Sequence, residues 1–363
     1  MEQLYNKIKE NLQKIDFCAI WQDFKPVRFA LYNDENVYLD GEIFKTDGRF
    51  LGNTAIDFNG ERIAIWKVFK PCEEDTDIIT ANIVHEMFHA FQYNNGETRF
   101  TNDLVLLDYP SDVKNYCLRF EENVLLANVY MLEDDSQKRD AFVKFIKTRK
   151  YRIEQTGDIT LQEFCAETVE GMAEYAGSCA LKQLSEDKFN ARMAEYTDIL
   201  NSYSGIFFDI RKMCYYSGTI LCMVLRNLGI GFWHKTGEEK TPLFPFILKN
   251  PDIAGLDMVT GKETNALFEN ENLHNVVFKY INGKKEQFLD LESMDYETVT
   301  GDFIICGYDP MNMLRYEDKI LFKRFVMLME NGKEKPLFIN GPVIVKLKEN
   351  SYNKSGLYMK NFR

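Results

Sequence analysis

Apolar residues in the first 24 positions recur at helical spacing, and the pattern stops just before a proline. The repeating positions are Leu4, Ile8, Leu12 and Ile15, and Pro26 follows them. Spacings of three and four residues place such side chains on one face of a helix. The pattern therefore predicts one amphipathic helix over residues 1–24.

Short runs of β-branched and aromatic residues follow between residues 27 and 70. They are separated by three turn-forming pairs, Asp40-Gly41, Asp47-Gly48 and Asn59-Gly60. Pairs of this kind readily adopt the positive φ angles of tight hairpin turns. We therefore expect an antiparallel β-meander over residues 27–70.

From residue 76 to residue 230 the apolar spacing returns to a helical period. Polar or glycine-containing breaks interrupt it near residues 94–96, 108–111, 134–136, 156–158 and 202–205. The pattern predicts a block of helices that forms the core of a first domain over residues 1–240.

Beyond residue 240 the helical period fades and β-type runs return. The predicted strands cover residues 275–281, 302–306, 321–329 and 343–347, with hairpin turns at Asn282-Gly283 and Asn331-Gly332. These features favour a β-rich C-terminal domain over residues 241–363 and an α+β fold for the whole chain.

Composition and charge narrow the class of protein. The chain of 363 residues is 45% apolar and 28% charged, which is typical of a globular protein. Its net charge of −12, without a dense basic run, disfavours nucleic acid as a partner. No apolar run approaches the length of about 18 residues that a membrane helix needs, so no membrane association is expected.

The cysteines and the start of the chain bear on the cellular compartment. The eight cysteines stand singly without a C-x-x-C pair, which is typical of reduced core residues. The first residues alternate charged and apolar side chains and lack the continuous apolar segment of an export signal. We therefore expect a cytoplasmic protein.

The strongest chemical signal is the segment HEMFH at residues 85–89, inside an apolar helical stretch. A four-residue step along a helix rises about 6 Å and keeps His85 and His89 on one face, as chelation of Zn²⁺ requires. Glu86 lies next to the first histidine, where its carboxylate can act as a general base. The chain has only four histidines, so two of them in this frame argue against a chance match.

A catalytic zinc needs a third protein ligand, and a second helical stretch offers one. The segment EGMAEY at residues 170–175 resembles the E-G-x-A-x-Y helix of gluzincin peptidases, the group of thermolysin-like proteases and zinc aminopeptidases. The resemblance implies that Glu170 is the third ligand and that Glu174 orients a ligand histidine from behind. The small Gly171 and Ala173 should let this helix approach the histidine helix closely. By spacing alone, the third ligand is also open to Glu167, Glu121 and Glu122.

A third motif begins at Tyr215. The segment YYSG at residues 215–218 resembles the part of zinc aminopeptidases that carries a tyrosine, so Tyr215 is expected to donate a hydrogen bond to the oxyanion of the tetrahedral intermediate. The resemblance covers only three short motifs within residues 80–230. Two features depart from the family: two predicted helices, 112–132 and 137–152, separate His89 from Glu170, and no G-x-M-E-N segment supports aminopeptidase specificity.

These motifs predict a zinc metallopeptidase with a thermolysin-like helical core. Zinc-activated water, with Glu86 as the general base, would cleave a peptide or protein substrate. A zinc amidohydrolase that acts on a non-peptide amide remains open, and so does an inactive peptidase-like binding or regulatory protein. His234 and His274 lack partnered spacing and are assigned to no site. The oligomeric state and the role of the C-terminal domain are not predicted.

Overall fold

The computed structural model describes residues 1–71, 73–203, 205–232, 236–254, 270–293, 297–348 and 351–356. The chain forms two compact units, each built from three stretches of sequence. The first contains Met1–Thr101, Phe120–Tyr151 and Glu163–Gly261, and the second contains Asn102–Arg119, Arg152–Gln162 and Lys262–Arg363. Whether residues 1–240 and 241–363 are separate domains stays a prediction.

The N-terminal segment forms two helices, α1 (Glu2–Leu12) and α2 (Phe17–Ile20), so the prediction of one continuous helix is wrong. The physical reason lies at Asp16, whose backbone is extended and whose side chain accepts a hydrogen bond from the amide of Ala19 at 3.0 Å. A side chain in this position caps a new helix. Three residues of the predicted apolar face are nevertheless buried, Leu4, Ile8 and Ile15, whereas Leu12 is half-buried.

A five-stranded sheet follows, with strand order β3-β2-β1-β5-β4. Its strands are β1 (Phe29–Tyr32), β2 (Asn36–Leu39), β3 (Glu42–Lys45), β4 (Thr54–Phe58) and β5 (Glu61–Lys67). The pairs Asp40-Gly41 and Asn59-Gly60 close the β2–β3 and β4–β5 hairpins, and all four residues have positive φ angles, as the sequence predicted. The pair Asp47-Gly48 lies between β3 and β4, which occupy opposite edges and are not paired.

The prediction of a purely antiparallel meander is wrong at one pairing, because β1 and β5 run parallel. All four residues of β1 are buried, and the middle of β5 is buried as well, so both strands lie at the centre of the sheet. The β4–β5 hairpin therefore joins the sheet through β5 at the free edge of β1. This order buries apolar side chains from both hairpins in one cluster around Tyr32 and Ile65.

The predicted helical block is confirmed. It contains α3 (Thr76–Asn94), α4 (Asp103–Leu106), α5 (Val113–Met131), α6 (Asp135–Thr156), α7 (Ile159–Leu184), α8 (Glu186–Leu200) and α9 (Ile210–Asn227). The predicted breaks separate these helices, and a further break at Ser185, whose side chain caps α8, was not predicted. Two short helices follow, α10 (Leu243–Ile247) and α11 (Pro251–Ala254).

The C-terminal region combines one long helix with a seven-stranded sheet, so the prediction of β-structure here is confirmed in part. The helix is α12 (Glu271–Glu292), and the strands are β6 (Asp302–Tyr308), β7 (Met313–Tyr316), β8 (Lys319–Phe322), β9 (Phe325–Glu330), β10 (Leu337–Asn340), β11 (Val343–Lys348) and β12 (Ser351–Gly356). Their order is β10-β9-β6-β12-β11-β8-β7, with antiparallel pairing. The pair Asn331-Gly332 lies in the β9–β10 hairpin, as predicted.

The predicted strand at 275–281 and its turn at Asn282-Gly283 are wrong, because both lie inside α12. Asn270 caps this helix by accepting a hydrogen bond from the amide of Leu273 at 3.1 Å. Leu273 and Val277 are buried one helical turn apart, and Phe288 packs on the sheet beside Leu321. Burial along a single helix face therefore outweighs the β propensity of the local sequence.

Two expectations concern membranes and cysteines. None of the described helices is both long and apolar enough to cross a bilayer. No described cysteine forms a disulfide; Cys117, Cys165, Cys214 and Cys222 are buried, whereas Cys18 and Cys306 are exposed. The expectation of reduced core cysteines therefore holds for some of them only.

Candidate metal centre

The structure brings together three of the predicted ligands. His85 and His89 lie on α3 and Glu170 lies on α7. The two Nε2 atoms are 3.0 Å apart, and Oε2 of Glu170 lies 3.1 Å from Nε2 of His89 and 3.7 Å from Nε2 of His85. One ligand atom from each residue thus lies within 4.8 Å of the others, so the group can hold a single metal ion.

Hydrogen bonds to the two Nδ1 atoms determine which tautomer each neutral imidazole adopts. Nδ1 of His85 lies 2.8 Å from Oε2 of Glu174, and Nδ1 of His89 lies 2.8 Å from Oε1 of Gln92. The amide of Gln92 is oriented because its Nε2 donates to the carbonyl of Val169 at 3.0 Å. When both imidazoles are neutral, their Nδ1 atoms therefore donate and their Nε2 atoms carry the lone pairs.

Three acceptor atoms consequently face one another in the centre of the group. Two imidazole lone pairs and a carboxylate oxygen repel each other unless a cation lies among them. The donor set of two nitrogens and one oxygen suits Zn²⁺, which takes three protein ligands in catalytic sites and leaves one position open. The residues present therefore fit a zinc ion.

The electrostatics of the three side chains show the same demand for positive charge. Burial acts to lower the pKa of His85, but hydrogen bonds to Glu170 and Glu174 outweigh it and raise that pKa to about 10. Burial acts to raise the pKa of Glu170, while the charges of His89 and Arg211 hold it well below its usual range. A proton therefore remains in this group when no metal is bound, and metal binding would displace it.

Glu174 is surrounded by donors that keep it ionised. Its Oε1 accepts a hydrogen bond from the hydroxyl of Tyr196 and another from Nη1 of Arg192 at 3.3 Å. Burial opposes ionisation, but the contacts with His85 and Arg192 lower the pKa of Glu174. The structure thus places Glu174 where the resemblance predicted, behind His85.

Four residues of this arrangement were not predicted from the sequence. Gln92 follows His89 by one helical turn, and a polar side chain at that spacing could have been predicted to bond to the imidazole. Arg192 and Tyr196 lie on α8 and Arg211 lies on α9, and no motif marks them. Their roles depend on the packing of helices that are distant in sequence.

Glu86 and Tyr215 lie beside the same group. The Glu86 residue is buried, with 6% exposure, and its carboxylate has no hydrogen-bonded partner among the described residues. Burial raises its pKa, although the charges of His85 and His89 oppose the shift. The ring of Tyr215 stacks on that of His85, with 5.6 Å between centroids and 4° between planes. Burial raises the pKa of Tyr215 well above its usual value, so its hydroxyl keeps its proton and can donate a hydrogen bond.

The alternative third ligands lie elsewhere. Glu122 and Glu167 both pair with Arg149, at 3.0 and 2.7 Å, and Glu167 also accepts from the hydroxyl of Ser217 at 2.7 Å. Burial, with the nearby charge of Glu122, raises the pKa of Glu121 to about 7. None of these three carboxylates belongs to the group formed with the imidazoles. His274 lies in α12, and His234 lies outside the described residues.

Close helix crossings fix the distance between the ligands. A Cβ atom on Gly171 would lie 2.5 Å from Cα of Gly218, so α7 and α9 touch through their backbones there. A Cβ atom on Gly177 would lie 2.6 Å from the carbonyl oxygen of Ala81, so α7 also touches α3. The expectation that Gly171 makes the contact with the histidine helix is therefore wrong. Gly177 makes that contact, against Ala81, which lies one helical turn before His85 on α3.

Gly171→Ala is expected to destabilise the protein by about 1–3 kcal/mol, because the added methyl group must push two helix backbones apart. Unfolding in urea, followed by circular dichroism, measures this effect. Gly283→Ala in α12 is the matched control, since nothing lies within 4 Å of its added Cβ. Alanine is the better helix former, so the control should gain about 0.5–1 kcal/mol. Equal stabilities of the two variants would contradict the close crossing.

Comparison of the chain with models of protein families, with curated proteins and with solved structures finds no match in any of the three.

Proposed function

We propose that the protein is a zinc-dependent hydrolase, with His85, His89 and Glu170 as metal ligands and peptide bonds as the substrate. The observation that carries this proposal is the convergence of two imidazole Nε2 atoms and one carboxylate oxygen within 4.8 Å. Both imidazoles are oriented from behind by hydrogen bonds, as is usual for zinc ligands.

Glu86 and Tyr215 supply the remaining chemistry. A zinc ion at this position would lower the pKa of a bound water and polarise the carbonyl of the substrate. Glu86 then accepts the proton of the attacking water and passes it to the departing nitrogen. Burial raises the pKa of Glu86, which favours uptake of this proton. The hydroxyl of Tyr215 donates a hydrogen bond to the developing oxyanion.

The assignment to the gluzincin group rests on the arrangement of α7. Glu170 and Glu174 lie one turn apart on this helix, one facing the imidazole Nε2 atoms and the other holding Nδ1 of His85. This division of roles is the one that the resemblance implied. The free cysteines agree with a reducing compartment, and we infer a cytoplasmic enzyme that acts on peptides or proteins.

We expect purified wild-type protein to contain about one zinc ion per chain and His89→Ala to contain almost none. Loss of one of three protein ligands removes most of the binding energy. Inductively coupled plasma mass spectrometry after zinc loading and gel filtration measures the metal content. His274→Ala is the control, because this histidine lies in α12 and belongs to no ligand group among the described residues. A wild-type chain without zinc after loading would overturn the proposed function.

A further inference from the structure

The two oxygens of Glu170 have different partners. Oε2 faces the Nε2 atoms of both histidines, whereas Oε1 accepts a hydrogen bond from Nη2 of Arg211 at 2.5 Å. Glu170 is buried, with 6% of its side chain exposed, and Arg211 is half-buried, with 17% exposed. A charge-assisted hydrogen bond of this length in a buried setting is strong and directional. The guanidinium therefore engages the oxygen that points away from the imidazoles.

The position of Arg211 is set by the fold around it. It lies in the first turn of α9, which Asp209 caps by accepting from the amide of Lys212 at 3.0 Å. One helical turn further along is Tyr215, whose ring stacks on His85. The crossing of α7 and α9 at Gly171 and Gly218 keeps both helices at backbone contact. Arg211 is thus held against Glu170 by the same packing that places the tyrosine.

A carboxylate can bind a metal through one oxygen or through both. Binding through both would take up a second coordination position, and a catalytic zinc needs that position for water. A guanidinium on Oε1 competes with the metal for its lone pairs and leaves Oε2 as the available donor.

We propose that Arg211 is a positioning residue that restricts Glu170 to one oxygen towards the metal and so keeps one coordination position open. This inference rests on the proposed metal site and adds a role for a residue on a third helix. Arg211 acts through Glu170 and is not assigned any contact with the substrate.

The test uses Co²⁺ alone as the probe, because its visible absorption is strong in four-coordinate sites and several-fold weaker at higher coordination numbers. The wild-type protein should bind about one Co²⁺ per chain with the strong spectrum. Arg211→Met should still bind Co²⁺ but lose several-fold in molar absorption, and Arg211→Lys, which keeps a charged donor, should recover part of it. Arg226→Met is the matched control, since Arg226 lies at the other end of α9, donates to Tyr175 and to the carbonyl of Ala19, and should leave the spectrum unchanged.

The outcomes separate the two proposals. Unchanged absorption in Arg211→Met at full Co²⁺ content overturns the role of Arg211 and leaves the metal site intact. A wild-type chain that binds no Co²⁺ overturns the metal site itself. A second measurement, infrared difference spectroscopy of the wild type with and without Zn²⁺, needs no variant. The separation between the two carboxylate stretching bands should be wider with Zn²⁺ than without it, as expected for a carboxylate that binds through one oxygen. A narrower separation contradicts the inference even where Arg211→Met fails to fold.

Discussion

Glu86→Gln is expected to lower the rate of peptide hydrolysis by about 10²–10⁴-fold while about one zinc ion per chain stays bound. The amide has nearly the shape of the carboxyl group but cannot accept the proton of the attacking water. Initial rates on a mixture of fluorogenic peptides, normalised to zinc content, measure the change. Glu195→Gln on the exposed face of α8 is the control and should keep the wild-type rate.

The same substitution should make the metal-free protein more stable at neutral pH. Burial raises the pKa of Glu86 in the folded state above its unfolded value of about 4.3. The contribution of this carboxyl group to the free energy of unfolding is therefore fully present at a pH below its unfolded pKa. It is lost as the pH rises through the higher pKa of the folded state. Glutamine avoids the buried charge, so its melting temperature without metal should be the higher one at pH 7. An unchanged hydrolysis rate would show that Glu86 is not the base, whatever the stability.

Arg149→Met is expected to lower the free energy of unfolding by about 3–5 kcal/mol. Arg149 lies on α6 and pairs with Glu122 on α5 and Glu167 on α7, and no more than 2% of any of the three side chains is exposed. Methionine fills similar space but removes the guanidinium that pairs with both buried carboxylates. Chemical denaturation at pH 7, fitted for the free energy, gives the value.

An exposed ion pair provides the comparison for this loss. Lys70 pairs with Glu73, and 70% and 68% of their side chains are exposed, so Lys70→Met should cost no more than about 1 kcal/mol. A similar small cost for Arg149→Met would contradict the importance of the buried pair. The buried pair of Arg149 and Glu167 bears on the candidate centre because Glu167 lies one helical turn before Glu170 on α7.

The sequence predicts the parts of the centre that depend on local spacing. The spacing along one helix is sufficient to propose His85, Glu86 and His89, whereas Glu170 is proposed from the resemblance of its segment to a gluzincin helix. The choice of Glu170 over Glu167 depends on which carboxylate Arg149 engages, and that is a contact between distant helices. The positions of Arg192 and Arg211 depend on similar contacts, so no spacing rule indicates them.

The same distinction between local and distant contacts explains the errors in the fold. The hairpins at Asp40-Gly41 and Asn59-Gly60 follow from residues that determine their own turn geometry. The parallel pairing of β1 with β5 joins residues 35 positions apart, such as Phe29 and Ala64, and a turn signal carries no information on it. In α12 the run Val276-Val277-Phe278 has β propensity. The helix there is explained by the burial of Leu273 and Val277 on one helix face, which depends on tertiary packing.

The separation of the ligands along the chain has a consequence for the order of events during folding. His89 and Glu170 are 81 residues apart, so the chain between them must first be closed into a large loop at an entropic cost. The unfolded chain can offer a metal little more than the histidine pair. Zinc should therefore enter after α3 and α7 have docked, slowing unfolding rather than accelerating folding. With the proposed zinc site, a freshly synthesised chain would reach its native packing first and acquire the metal as the last step of maturation.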